Sequence, residues 1–218
     1  MILDDQEIAE INSIVKEVSI KFDDRSLSMK TGEIFPTDHA PVVLMDNNKP
    51  SLTLMQWGFP KHDNKGVIIN ARSETATQKK LFATSFHSRR IVIPSTGFFE
   101  WAKTEGKSKQ KLQFNMPDSP MLYMAGLYAN YPVQTESQQL VSKFVILTQE
   151  ANESIIDIHN RMPVILHKNE IRRWLNDLTF ANTIKSRNSI SLVRRSIGKQ
   201  DETNIPQQLL LCDPHTKS

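Results

Sequence analysis

The sequence contains a single cysteine, Cys212, close to its C-terminus. One cysteine excludes an internal disulfide framework and a cysteine-rich zinc site, and it fits a reducing compartment. No apolar run reaches the length of a membrane span. The first residues, MILDDQEIAE, lack the basic segment and long apolar stretch of a signal peptide. The sequence therefore predicts a soluble, cytoplasmic protein with no membrane partner.

Other absences narrow the possible chemistry. The seven glycines are scattered and form no phosphate-binding loop. The six histidines show no paired H-x-x-x-H spacing, which makes a transition-metal site unexpected. The sharp G-x-S-x-G turn of serine hydrolases is also absent. We therefore expect neither a metal nor any other cofactor.

The composition fits one folded domain. Of the 218 residues, 39% are hydrophobic and 23% are charged, which is enough apolar material for a real core. We expect a single, monomeric domain over residues 1–218, with a less ordered polar tail from about residue 200. Lys and Arg number 27 against 24 Asp and Glu. This mildly basic balance permits a phosphate-bearing partner but does not require one.

Short strand-like runs dominate the chain and alternate with a few helical patterns. Helical spacing of Ile8, Ile11, Val15 and Val18 predicts an N-terminal helix. Further helices are predicted at 73–87, with Ser73 as N-cap, and at 168–178, and the chain beyond about residue 178 is polar. The strand-like runs lie at 41–45, 52–57, 66–70, 90–94, 97–103, 111–116, 121–129, 143–149 and 163–167. This pattern predicts an α+β fold with a curled, largely antiparallel, barrel-like sheet and flanking helices.

Two stretches place polar groups where a strand ends or lies between aromatic residues. In INARSET, Asn70 and Arg72 stand where a strand passes into a helix; they could simply end that strand and face solvent. In GFFEWAK, Glu100 lies among aromatic side chains of a strand. It is either an exposed carboxylate or a carboxylate in an apolar pocket, whose raised pKa would suit proton transfer.

Two more stretches are candidates only in combination with the first two. His159 and Arg161 lie two residues apart in DIHNRMP, just before a proline, and a lone histidine is more often structural than catalytic. Thr148 ends the strand-like run FVILT and carries no indication of function by itself.

Six motifs in this order resemble the SRAP family, the SOS response-associated peptidases. They are WGF at 57–59, INARSET at 69–75, RRIVIPSTGFFEW at 89–101, MAGLY at 124–128, ILT at 146–148 and IHNRMPVIL at 158–166. The resemblance extends from about Asp4 to Leu175. It implies the SRAP fold and binding of single-stranded DNA at abasic sites.

The resemblance also implies a covalent mechanism. Family members begin Met-Cys-Gly-Arg and, after removal of Met, close the cysteine amine and thiol on the ring-opened sugar as a thiazolidine crosslink. By match to the family, Asn70 would orient the opened sugar, and Glu100 and His159 would transfer protons. The matching phosphate contacts are Arg72, Arg90 and Arg161, and Thr148 would line the same pocket.

The chain departs from the family in two places. Residue two is Ile2, so the Cys-Gly-Arg segment is expected to be missing, either because the chain was started late or because the nucleophile was lost. In the 58–66 segment, family members often carry a tryptophan wedge between bases, whereas this chain has Lys61, His62 and Asp63. Three functions stay open: abasic-site crosslinking, a peptidase as the family name states, and a noncatalytic DNA-binding module.

Overall fold

The computed structural model describes residues 32–63, 65–103, 109–132, 139–184 and 190–197. The predicted N-terminal helix, residues 104–108, Cys212 and the tail from residue 200 lie outside these ranges. None of the helices in the described part of the chain has the length and apolarity that crossing a bilayer requires.

Strands make up most of the described chain, as the short apolar runs predicted. In chain order they are β1 His39–Asp46, β2 Lys49–Trp57, β3 Phe59–Pro60, β4 Val67–Ile68, β5 Asn70–Arg72, β6 Arg90–Ser95, β7 Phe98–Lys103, β8 Lys109–Asn115, β9 Leu122–Pro132, β10 Leu140–Glu150, β11 Arg161–Pro163, β12 Ile165–Leu166 and β13 Val193–Ser196.

Five of these strands close into a barrel. Strands β1 and β2 form an antiparallel hairpin whose two turn residues, Asn47 and Asn48, have φ angles of 47° and 62°. Asparagine tolerates this left-handed conformation, which two-residue hairpin turns require. Strand β1 pairs with β6, β6 with β9 and β9 with β10, all antiparallel. A parallel pairing of β10 with β2 completes the ring. The predicted α+β fold with a curled, mostly antiparallel barrel is confirmed.

Alternation along the barrel strands divides the core in two. On one face, side chains such as Ile91, Met124 and Phe144 pack with residues of β7 and β8 and fill the barrel interior. The alternate positions, such as Val92 and Leu147, pack against helices on the outside of the barrel. Both faces of these strands are therefore buried, which explains their nearly continuous apolar runs.

The helix predicted at 73–87 is two helices, α1 at Ser73–Ala76 and α2 at Lys80–Ser88. The predicted N-cap is also wrong: Arg72 is the N-cap residue, and the Ser73 hydroxyl donates to Glu74 at 3.4 Å. Threonines 75 and 77 are β-branched and weak helix formers at this break. Packing of the buried Phe82 and Phe86 of α2 against the barrel then sets the direction of the second helix.

The C-terminal part contains more structure than its polar sequence indicated. The predicted helix at 168–178 consists of a 3-10 turn, Lys168–Glu170, and α3 at Ile171–Asn176. A further helix, α4 at Leu178–Thr183, begins at Asp177, whose carboxylate accepts from the Phe180 amide at 3.0 Å. Strand β13 joins β8 and β7 in a separate three-stranded sheet. Its side chains are exposed, so no apolar pattern marked it.

Candidate functional site

The predicted site begins on β10, the strand that β5 and β11 flank at its C-terminal end. Strand β5 runs parallel to β10, with Asn70 beside Ile146 and Arg72 beside Thr148. Ala71 between them is 1% exposed and packs into the outer core, which turns Asn70 and Arg72 to the opposite face. The sequence pattern N-A-R therefore fixes both polar side chains, because alternate residues of a strand share a face.

Arg161 connects this edge to α1. Its guanidinium donates to both carboxylate oxygens of Glu74, at 2.7 and 2.8 Å, and to the Thr148 carbonyl oxygen at 2.7 Å. Burial alone would raise the pKa of Glu74, but hydrogen bonds and charge from Arg161 hold that pKa below its ordinary value. A bidentate pair of this kind fixes both side chains in the wall of the site. A DNA phosphate would have to compete with Glu74 for this guanidinium.

No pattern in the sequence marked Glu74 as part of this group. An acidic residue in the first turn of a helix is ordinary, since it complements the helix dipole. Nothing in the sequence indicated that Arg161, 87 residues away, would pair with it.

Glu100 and His159, two of the predicted site residues, lie close together. Glu100 lies on β7, and its carboxylate is 3.9 Å from Nδ1 of His159. The Glu100 side chain is 27% exposed and that of His159 is 46% exposed. Burial raises the pKa of Glu100, and the charge of His159, when protonated, opposes that rise. Strand β7 and the turn before β11 therefore bring the two groups within ion-pair distance but not into a direct hydrogen bond.

The same nitrogen of His159 contacts the backbone of Arg161. Nδ1 lies 2.9 Å from the Arg161 carbonyl oxygen and 3.1 Å from the Arg161 amide nitrogen. If Nδ1 carries the proton, it donates to the carbonyl and leaves Nε2 as an acceptor; if not, it accepts from the amide and Nε2–H is a donor. The backbone of Arg161 thus holds either tautomer of the ring.

The structure joins six of the seven predicted residues through a chain of contacts and strand pairs. Glu100 meets His159, His159 bonds to the Arg161 backbone, and Arg161 bonds to Thr148. Thr148 in turn pairs with Arg72, which is two strand positions, or about 6.8 Å, from Asn70. Residues that span the sequence from Asn70 to Arg161 thus converge on one end of β10. That Asn70 reaches the Glu100–His159 pair stays a prediction.

Arg90 does not belong to this group. It is 7% exposed, and its guanidinium donates to four backbone carbonyl oxygens at the C-terminal ends of α2 and α3. The predicted phosphate contact of Arg90 is wrong, because the side chain is buried and its guanidinium is bonded to these carbonyl oxygens. The sequence motif RRIVIP could not distinguish a buried arginine that ends two helices from an exposed one.

Trp101 is a further candidate contact beyond the seven predicted residues. It follows Glu100 on β7 and is 46% exposed, a large value for tryptophan. In the described part of the chain, no set of three or more His, Cys, Asp or Glu side chains is arranged to hold a metal ion. The exposed side chains nearest to Glu100 and Asn70 along their own strands are thus Trp101 on β7 and Arg72 on β5.

These features define a barrel protein in which the predicted polar residues meet at one end of β10. Residues 4–198 match the family described as SOS response associated peptidase, SRAP, and the chain belongs to that family. The predicted family is therefore confirmed.

Several relatives carry the name abasic site processing protein. YoaM of Bacillus subtilis is 32% identical over 148 residues, which cover 66% of this chain and 64% of YoaM. YedK of Escherichia coli is 32% identical over 120 residues, covering 55% of this chain and 52% of YedK. HMCES of Xenopus tropicalis is 28% identical over 176 residues, covering 65% and 52%. The matches thus span from about half to 64% of these relatives.

Solved structures support the fold. A protein from Bacteroides thetaiotaomicron superposes with a TM-score of 0.71 at 22% identity, covering 90% of this chain and 91% of that chain. A protein from Bordetella bronchiseptica gives a TM-score of 0.65 at 20% identity, covering 84% and 95%.

Proposed function

We propose that this protein binds single-stranded DNA at abasic sites. The observation that carries the proposal is the Glu100–His159 pair, with its 3.9 Å separation, next to the edge formed by Asn70, Arg72 and Thr148. The names of YoaM, YedK and HMCES support the same lesion as the target. The exposed Arg72 would contact a backbone phosphate, and Trp101 would stack on a base next to the lesion.

The acid–base pair fits the chemistry of an abasic sugar. The sugar is a cyclic hemiacetal in equilibrium with an open aldehyde. Opening removes a proton from the C1′ hydroxyl and adds one to the ring oxygen. A carboxyl group whose pKa is raised by burial can supply that proton nearer neutral pH, and His159 can accept the other. Asn70 would hold the open sugar by its amide.

The proposed covalent step uses an N-terminal cysteine. Its amine attacks the C1′ aldehyde, a C–N bond forms, and water leaves as the imine forms. The thiolate then adds to the imine carbon, a C–S bond forms, and the nitrogen takes a proton to give the thiazolidine. Glu100 and His159 would protonate the leaving hydroxyl and deprotonate the thiol.

A peptidase is the second function that the family description names. Among the described residues, neither Glu100 nor His159 hydrogen-bonds to a serine or cysteine side chain that could act as nucleophile. The pair could still serve acid–base chemistry on a peptide. The geometry therefore favours the DNA function.

Binding to abasic DNA can be tested without any covalent step. We expect the protein to bind single-stranded DNA carrying a tetrahydrofuran abasic analogue more tightly than the same strand with an intact base. The analogue cannot open, so only binding is measured. Affinity should fall steeply with salt, and Arg72→Ser should reduce the slope of log K against log salt by about 0.7. Fluorescence anisotropy measures both quantities.

The matched control is Lys49→Ser, which removes an exposed cation from the β1–β2 hairpin and should leave the slope unchanged. Equal affinity for the abasic and intact strands, or an affinity indifferent to salt, would contradict the proposal.

The raised pKa of Glu100 makes a separate prediction about stability. Because burial raises the pKa of Glu100 in the folded state, the folded protein must bury a charge once this group ionises. The free energy of unfolding is therefore unaffected below the pKa of the unfolded state and falls as the pH rises through the pKa of the folded state. Glu100→Gln cannot ionise, so it should be more stable than the parent at about pH 8 and similar to it at about pH 4. Urea unfolding at both pH values measures the difference.

Glu153→Gln, an exposed glutamate, is the control and should change stability little at either pH. If Glu100→Gln lowered stability at both pH values, the carboxylate would be a structural group, and its place in the proton-transfer pair would be lost.

A further inference from the structure

The small sheet β13–β8–β7 has two different faces. On the inner face, Phe98 stacks on Phe114 with ring centroids 5.3 Å apart, and Ala102 and Leu112 are buried. Glu100 lies on this inner face, since it shares the alternation of Phe98 and Ala102. Strand β7 therefore presents its proposed catalytic carboxylate on one side and its remaining side chains on the other.

The other side, which we call the outer face, carries the alternate residues of the three strands. They are Phe99, Trp101, Lys103, Lys109, Lys111, Gln113, Asn115, Val193 and Arg195. Contacts across the strands confirm the arrangement. The Lys111 ammonium lies 4.5 Å from the centre of the Phe99 ring, and Arg195 Nε donates to Gln113 Oε1 at 3.0 Å.

The outer face is basic and partly aromatic. Lys103, Lys109 and Arg195 are exposed, and Trp101 is 46% exposed. None of the nine outer-face positions is an aspartate or glutamate. One carboxylate from outside the sheet, Glu33, pairs with Lys111 at 2.6 Å. An open sheet face that combines aromatic rings with cations is the kind of surface on which single-stranded nucleic acids stack bases and place phosphates.

We propose that the outer face binds the stretch of single-stranded DNA that flanks the lesion, with phosphates on Lys103, Lys109 and Arg195. This inference rests on the proposed function, because it continues the path of the same strand. In the described pairings β7 is the end strand of its sheet, so a DNA strand can pass around it from the Glu100 side to the Trp101 side. Neighbouring strands are about 4.8 Å apart, so the outer face spans only a few nucleotides.

The test compares two triple variants. The outer-face variant carries Lys103→Ser, Lys109→Ser and Arg195→Ser. The control variant carries Lys49→Ser, Lys80→Ser and Arg172→Ser, which remove the same charge from exposed positions on β2, α2 and α3. Lys111 stays unchanged in both because it is partly buried and paired. The probes are an intact single strand of about 16 nucleotides and an abasic-analogue strand of about 4, the limits of common site sizes.

We expect the outer-face variant to lose about 2 units from the salt slope on the long strand, because each phosphate contact contributes about 0.7. Between about 50 and 200 mM salt, the parent's affinity should therefore fall roughly 20-fold more than that of the variant. The control should keep the parent's slope, and both variants should bind the short strand as the parent does. Trp101→Ala should weaken long-strand binding roughly 5- to 150-fold at every salt concentration without changing the slope, because stacking releases no counterions.

An unchanged slope in the outer-face variant would overturn the proposal, as would an equal loss in the control, which would mean that only net charge matters. If the proposed function were wrong, the parent protein would not bind the short abasic strand. The salt slope on the long strand would still test the outer face in that case, because this strand contains no abasic site.

Discussion

Replacing Arg90 by methionine should lower the free energy of unfolding by about 3–5 kcal/mol. Arg90 donates from Nη1 to the carbonyl oxygens of Phe86 and His87, at 2.8 and 2.7 Å. It donates from Nε to Trp174 O at 2.6 Å and from Nη2 to Leu175 O at 3.1 Å. Methionine fills similar volume but would leave four carbonyls without these donors in a buried place.

The size of the effect follows from where these carbonyls lie. They belong to the last turns of α2 and α3, whose carbonyl groups have no partner within their own helix and carry partial negative charge. One buried cation therefore ends two helices and ties both to β6. The indole of Trp174 reinforces the contact by donating to Ile91 O at 2.8 Å.

Urea denaturation measures the change, with Arg172→Met on the exposed side of α3 as the control. The control should stay within about 0.5 kcal/mol of the parent. Arg90→Lys should lie between the two, since an ammonium group cannot reproduce the planar fork. A loss below about 1 kcal/mol in Arg90→Met would contradict the structural role. Folded Arg90→Lys protein should also bind single-stranded DNA with the parent's salt slope, because the side chain is not available to a phosphate.

The second large effect concerns the covalent crosslink to abasic DNA, which should form only when the polypeptide begins with cysteine. A polypeptide produced with Met1-Ile2 as its first residues should give no heat-stable crosslink to single-stranded DNA that carries one natural abasic sugar, which can open to the aldehyde. An amine alone forms a reversible imine. A thiazolidine also needs a thiol two carbons from that amine, which only an N-terminal cysteine provides, and the thiolate is the strong nucleophile near neutral pH.

Placing Cys-Gly-Arg between Met1 and Ile2 should produce the crosslink, provided that the initiating Met is removed. The matched control places Ala-Gly-Arg there, which also permits removal of Met but supplies no thiol. A denaturing gel resolves the shifted band. A stable band from the polypeptide that begins Met1-Ile2 would place the nucleophile elsewhere in the chain.

The site residues can be tested in the same cysteine-bearing polypeptide. Glu100→Gln should slow crosslink formation by roughly 100- to 10,000-fold if it acts as a general acid–base group. Arg172→Met should have no effect. No crosslink from the cysteine-bearing parent, in a protein that still binds the abasic analogue, would support the noncatalytic DNA-binding module instead.

The sequence by itself determined the family and the predominance of strands. Long motifs in a fixed order identified the family, and apolar runs indicated the buried strands. The predicted strand ended at residue 70, whereas β5 extends from Asn70 to Arg72, and alternation within it places both polar side chains on one face.

Tertiary structure decided the rest, because it depends on contacts between distant parts of the chain. Pairing of β10 with β2 closes the barrel, and no local pattern specifies that partner. Burial made Arg90 a structural residue, whereas its motif predicted a DNA contact. Glu74 and Arg161 pair across 87 positions. The strand β13, in a polar stretch without alternation, exists because β8 offers it backbone partners. The polar positions acquired their roles from what packs beside them, which is a property of the folded molecule.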